Sequence, residues 1–317
     1  MLPTYIAGTS NSSEYCYNPA CVLSNRYGIN AIDIKNDILI TGDNMGYIST
    51  WDLDLQSQMR STKLDTGIIN VKFANNCLVS QSKEELALLT VNVDTFLKRT
   101  DSKSCTFARF VLLGDNSIIA HPNPQIHGDI SIISSAHNNL TQIYNIKITT
   151  DKNLGSLHVL KGITDLQFIA SYEIGSLFTF DIRKLDSPIT DPIYISTTAP
   201  IHSVEFFNGI IYAGTAEGEL YSANGGNVDK CYAMKSYSQP ANVGIGNILK
   251  YKDLLILTCW DGTVRVLDPV NFAEKIIFHG HSSTVTDLAV DTTNDVLFTS
   301  GIDGRICIWD TKLIKRC

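Results

Sequence analysis

The sequence predicts an all-β protein, a seven-bladed β-propeller closed by an N-terminal strand, and three observations predict it. First, residues 279–310 read as alternating apolar runs joined at Asp303-Gly304, a β-hairpin signature, and end on Ile308-Trp309-Asp310. Second, a turn residue followed five positions later by a strand residue recurs along the chain. Its intervals of about 39 to 47 residues match the length of a four-stranded blade. Third, the last repeat has little room for a fourth strand, while an unassigned strand precedes the first full repeat.

Taken in order, residues 1–18 are rich in Ser, Asn and Tyr and are expected to form an extension, leaving 19–317 as one propeller domain. Residues 20–24 (ACVLS) are the unassigned strand. They are expected to lie beside the third strand of the last blade, which closes the ring and removes an open sheet edge. The seven third strands are anchored by Trp51, Thr90, Ile133, Phe180, Ala223, Leu267 and Trp309. The turns before them contain Gly46, Glu85, Gly128, Gly175, Gly218, Gly262 and Gly304. Short β-rich runs at 30–34 and 38–41, 201–206 and 210–213, and 244–249 and 254–258 supply the preceding strands of blades one, five and six. The long interval between Ile133 and Phe180 contains 137–160, expected to form an outer hairpin. No stretch sustains helical periodicity.

Composition narrows the function. Hydrophobic residues make up 44% and charged residues 18%, a globular balance, and the net charge of −7 argues against direct nucleic-acid binding. The apolar runs are too short to span a bilayer, and the first residues do not resemble a secretory signal. None of the eight cysteines forms a Cys-x-x-Cys pair, so free thiols in a reducing compartment, nucleus and cytoplasm, are expected. The sequons at Asn11 and Asn139 are then chance matches.

Candidate chemistry is sparse. His281, Thr299 or Ser300, Asp303 and Trp309 are spaced to form a structural tetrad, imidazole to carboxylate on one side and hydroxyl to indole on the other. The same residue types would suit a hydrolase triad, but their spacing within one blade favours architecture. His121 and His127 lack nearby cysteines, so no metal is expected. No phosphate loop, dinucleotide fingerprint or nucleophile elbow occurs, and no catalytic residue or cofactor is assigned. Two stretches invite a functional reading. The first combines the loop at 238–246 with Trp260 before the Asp261-Gly262 turn. Trp260 is either a binding anchor on a polar rim or a cap on the neighbouring blade. The second, Phe180-Asp181-Ile182-Arg183, is similar to the Trp-Asp-x-Arg box of propellers that dock on cullin-4 ubiquitin ligases.

The Gly280-His281 opening and Trp309-Asp310 close make the last repeat a WD repeat. The loop at 242–245, the run from Leu255 to Asp261, Arg265-Val266 and Phe278-His279 resemble a WD-repeat subfamily: the ASTRA-associated protein of fungi and the G-protein beta-subunit-like protein of animals. The resemblance implies a non-enzymatic scaffold in the ASTRA and Triple-T cochaperone assemblies, which mature phosphatidylinositol-3-kinase-related kinases and act on chromatin. It further implies a monomeric propeller within a hetero-complex, meeting helical-repeat partners through Asn242, Gly244, Ile245, Trp260 and Arg265. The alternatives are a substrate receptor of a cullin-4 ligase and a propeller esterase of the diphthine methylesterase type.

Overall fold

The computed structural model describes residues 16–103, 106–126, 128–148, 153–195, 199–235, 243–312 and 314. They build seven antiparallel sheets arranged as propeller blades. In blade one the strands run from the channel outward as Ile29–Lys35, Ile38–Asp43, Tyr47–Asp52 and Ser57–Lys63. Blades two to six repeat this order, their innermost strands being Ile68–Ala74, Val111–Leu113, Leu157–Gly162, Ile201–Phe207 and Ile245–Tyr251. Each expected anchor lies on the third strand of its blade.

Residue type follows position in the blade. A second strand is covered by the neighbouring blades on both faces, so Cys77–Ser82 is buried throughout. An outermost strand forms the wall against solvent, and Ser57–Lys63 (SQMRSTK) is accordingly polar and mostly exposed. The apolar core is divided among the gaps between blades. Ile40 and Ile48 meet Val71 and Leu78 between blades one and two. Phe168, Phe178 and Phe180 meet Ile130 and Ile132 between blades three and four. Val264 and Phe278 meet Leu297 and Trp309 between blades six and seven.

Blade seven is built from both ends of the chain. Val285–Asp291, Val296–Gly301 and Arg305–Asp310 are followed outward by Cys21–Ser24, antiparallel to the third strand, with Leu23 opposite Ile306. Leu23 is buried against Ile32 and Ile308. One further strand adds to this closure. Cys16–Tyr17, within the stretch read from sequence as an extension, pairs in parallel with Glu274–His279 and makes blade six five-stranded. The ring is therefore fastened across two blades.

The expected outer hairpin at 137–160 is not formed. Thr141–Ile146 is the outermost strand of blade three, whereas Leu157–Gly162 is the innermost strand of blade four. The reason is burial. Leu157 and Leu160 pack with Phe168 and Tyr172 between the sheets, an environment no outer-wall strand offers.

The innermost strands are tied by carboxylates. Asp33 accepts from the Phe73 N–H at 2.8 Å, Glu205 from Lys250 at 3.1 Å, and Asp287 from Ile32 at 3.1 Å. Each bond satisfies a backbone donor that the channel-facing edge of a blade would otherwise leave unpaired.

Candidate functional site: the top face and its central funnel

The face on which the innermost strands begin, here called the top, also carries the turns between second and third strands. Its funnel holds two adjoining cavities of about 380 and 420 Å3, both bordered by Phe107, Arg109, His202 and Gly246. Arg109, in the segment before blade three, spans the channel. Its guanidinium pairs with Asp287 of blade seven at 2.9 Å and donates to the carbonyls of Asn30, at 2.6 Å, and Thr286, at 3.1 Å. Burial works against the charge on Asp287. The Arg109 and Lys72 charges, with N–H groups of Ile32 and Leu288, outweigh it and hold the carboxyl below its ordinary range. Asn247 adds a bond to the same carboxylate at 2.8 Å. Nothing in the sequence near Arg109 announces this role, because its partners come from blades one and seven.

Trp260 lies at the funnel wall. Its ring covers Gly244, where a Cβ would come within 2.3 Å of the indole, and the Trp260 backbone N–H donates to the Gly244 carbonyl at 3.0 Å. The glycine φ of +146° also suits no L side chain. The indole meets the edge of His202 from blade five with centroids 5.2 Å apart, and His202 stacks on His158 of blade four at 5.9 Å. Trp260 thus caps the neighbouring blade, and it also borders the opening.

Other expected contact residues are placed differently. Asn242 lies outside the described residues. Ile245 is fully buried between blades five and six, because the innermost strand starts there and turns it inward. Arg265 is also fully buried and cannot meet a partner. Its guanidinium pairs with Asp261 at 2.7 Å and Glu274 at 2.9 Å, and donates to the Tyr232 hydroxyl and the Lys235 carbonyl. These bonds lock blade five to blade six, and a buried arginine is tolerable only when paired in this way.

The tetrad is a continuous chain within blade seven. His281 Nδ1 lies 3.1 Å from Asp303, its Nε2 lies 2.9 Å from Thr299 Oγ1, and the Trp309 indole donates to that hydroxyl at 2.9 Å. Burial opposes the charge on Asp303, yet hydrogen bonds from His281 and from the Ser282 and Arg305 N–H groups keep its carboxyl below the usual range. With the His281 side chain enclosed and Thr299 buried, the group is inaccessible to substrate. Blade one carries a partial copy that sequence reading missed. Trp51 donates to Thr41 at 2.9 Å, and Asn25 donates to Asp43 at 3.1 Å. The available signal was the hydroxyl ten residues before the tryptophan in both blades.

His121 is buried on the second strand of blade three, and desolvation pushes its imidazole down to about 4; His127 lies outside the described residues. On the opposite face, Arg183 closes onto Asp181 through two bonds at 2.8 and 2.6 Å, with the guanidinium side still exposed. That ion pair holds the Asp181 carboxyl well below its ordinary range.

Comparison with known proteins finds the family described as "WD domain, G-beta repeat" matching residues 273–310. This is the outermost strand of blade six followed by the three strands of blade seven, so the sequence repeat is offset by one strand from the blade. The chain is similar to DDB1- and CUL4-associated factor 10 of Mus musculus, 36% identical over 86 residues, or 26% of this chain and 15% of that protein. The Homo sapiens protein of the same name is 36% identical over 80 residues, 25% of this chain and 14% of that one. Set1 complex component swd2 of Schizosaccharomyces pombe is 30% identical over 96 residues, 30% of this chain and 26% of that one. The matched part of the chain therefore spans about a seventh of the length of the first two relatives and about a quarter of the third. The protein is a β-propeller bearing a WD repeat, similar over part of its length to these three proteins.

Proposed function

We propose that the protein is a non-enzymatic interaction subunit whose top face receives a protein partner. The observation that carries this reading is the set of exposed apolar side chains on top-face segments, Met45, Phe107, Ile126, Ile174 and Ile302, with Phe107 lining both funnel cavities. Apolar groups clustered about a concave opening are the usual anchors of a protein contact. The enclosed tetrad argues in the same direction, since the one Ser/Thr-His-Asp grouping suggestive of hydrolysis holds up a blade instead.

For the assembly, we infer docking on a cullin-4 adaptor, with function in nucleus and cytoplasm. The names of the first two relatives support the docking, as does the exposed Arg183 guanidinium, paired with the buried Asp181, on the face opposite the funnel. No cochaperone is among the names above, and the ASTRA and Triple-T assignment drawn from resemblance is placed behind this one. Similarity to swd2 supports a second reading, membership of a Set1 complex. Affinity purification of the full chain from its native cell, with mass spectrometry, separates them. Recovery of the cullin-4 adaptor, lost in Arg183→Ala and retained in Phe107→Ala, is expected. Recovery of Set1-complex or kinase-cochaperone subunits without the adaptor would overturn the inference.

A further inference from the structure

The chain carries more acidic than basic residues, 32 Asp and Glu against 25 Lys and Arg, yet neither funnel cavity is lined by a single carboxylate among the described residues. Cationic and imidazole groups converge there instead: Lys83, Arg109, Lys161, His158 and His202. Two acids beneath the lining are already matched, Asp287 by Arg109 at 2.9 Å and Glu205 by Lys161 at 2.9 Å, while the exposed Glu173 accepts from the Ser156 N–H at 3.0 Å. Lys83 sits over the ring of Phe107, 5.7 Å from its centroid, which fixes a positive charge beside the most exposed aromatic of the rim. His158 Nδ1 is buried without a hydrogen-bond partner among the described residues, and His202 stacks on the same ring. A buried polar atom left in this state gains from a ligand that pairs with it.

We propose that the funnel takes the anionic side chain of an extended peptide, a carboxylate or phosphate group entering above Arg109 between Lys83 and the His158–His202 pair. Phe107 and Trp260 hold the flanking residues at the rim. This deepens the reading of the top face as a partner site by naming what it recognises. The cavities, at about 380 and 420 Å3, have room for one such group and its neighbouring side chains. The Arg109 guanidinium is occupied by Asp287 and two carbonyls, so it forms the floor as a closed ion pair. Lys83 and the imidazoles make the direct contacts.

The test uses the full chain, immobilised, and short degenerate peptide pools in which a central residue is fixed as Glu, phosphoserine, Ser or Lys. The Glu or phosphoserine pool is expected to be retained about tenfold better than the Ser and Lys pools, and the better of the two identifies the source of the charge. Lys83→Glu and His202→Glu should each lower that retention severalfold without shifting the melting temperature, and raised salt should weaken it. Equal retention of all pools, retention led by Lys, retention of none, or indifference to both substitutions would overturn the proposal. The measurement requires no cullin adaptor. Its failure leaves adaptor recovery untouched, and failure to recover the adaptor leaves a positive peptide result standing.

Discussion

The ring closure makes a quantitative prediction through Leu23. This side chain is 3% exposed, lies opposite Ile306 and packs with Ile32 and Ile308 where the last blade meets the first. Truncation by Leu23→Ala removes buried methyl groups and leaves a void walled by two blades, which costs about 2–5 kcal/mol in such sites. At roughly 2.1 cal/mol/K of unfolding entropy per residue, the 317-residue chain melts with about 0.7 kcal/mol/K, so a loss of about 3 kcal/mol lowers Tm by about 4–5 °C. Deleting residues 16–24 goes further. It strips the third strands' outer neighbour from blade seven and the added strand from blade six, exposing an unpaired edge that templates aggregation. Differential scanning calorimetry and light scattering read both effects. An unchanged Tm in Leu23→Ala together with a soluble, cooperatively melting deletion variant would refute the closure.

Two further predictions concern buried charge. Arg109→Met leaves the Asp287 carboxylate enclosed and uncompensated by its nearest guanidinium, so a loss of about 3–5 kcal/mol is expected in urea unfolding. Asp287→Asn in the same chain should recover part of it, and strict additivity of the two substitutions would contradict the direct pairing. His121 stays neutral when folded because burial pushes it from 6.5 down to about 4, so the unfolded chain binds the extra proton between those values. Its contribution is complete above about pH 6.5 and is lost as pH falls towards 4, about 3 kcal/mol in all. His202 is lowered in the same direction, by burial and then by the adjacent His158, and adds to the slope. His121→Gln should flatten most of this dependence above pH 4.5, and an unaltered slope would show that the imidazole is not enclosed.

The fold was legible because a propeller repeats its signal. A turn glycine five residues before a strand anchor survives even where the anchor is Ala223 or Leu267, since the hairpin geometry demands the turn and the neighbouring sheet accepts many apolar shapes. Closure by residues 20–24 was legible from the count of strands at the two ends. Cys16–Tyr17 was not, because two residues carry no periodicity. The same limit misplaced 141–160, where spacing alone could not say which of two blades a strand joins. Site reading fared according to locality. The tetrad and Trp260 sit beside recognisable turns. Arg265 looked like a surface cation, and only the approach of Tyr232, Asp261 and Glu274 turns it into a buried strut. Arg109 was invisible for the converse reason, as its counter-ion is 178 positions away along the chain and adjacent only after the ring has closed.

The central claim, a scaffold that holds its partner over the funnel, is tested most directly by lysine cross-linking and mass spectrometry of the native assembly. Lys83 and Lys63 mark the top face, Lys252 and Lys312 the opposite face, and Lys98 and Lys230 the outer wall; all six are exposed. A recruited partner is expected to link to Lys83 and Lys63, and the adaptor to Lys252 or Lys312. Links from every partner to Lys98 and Lys230, with none at Lys83 or Lys63, would contradict the claim.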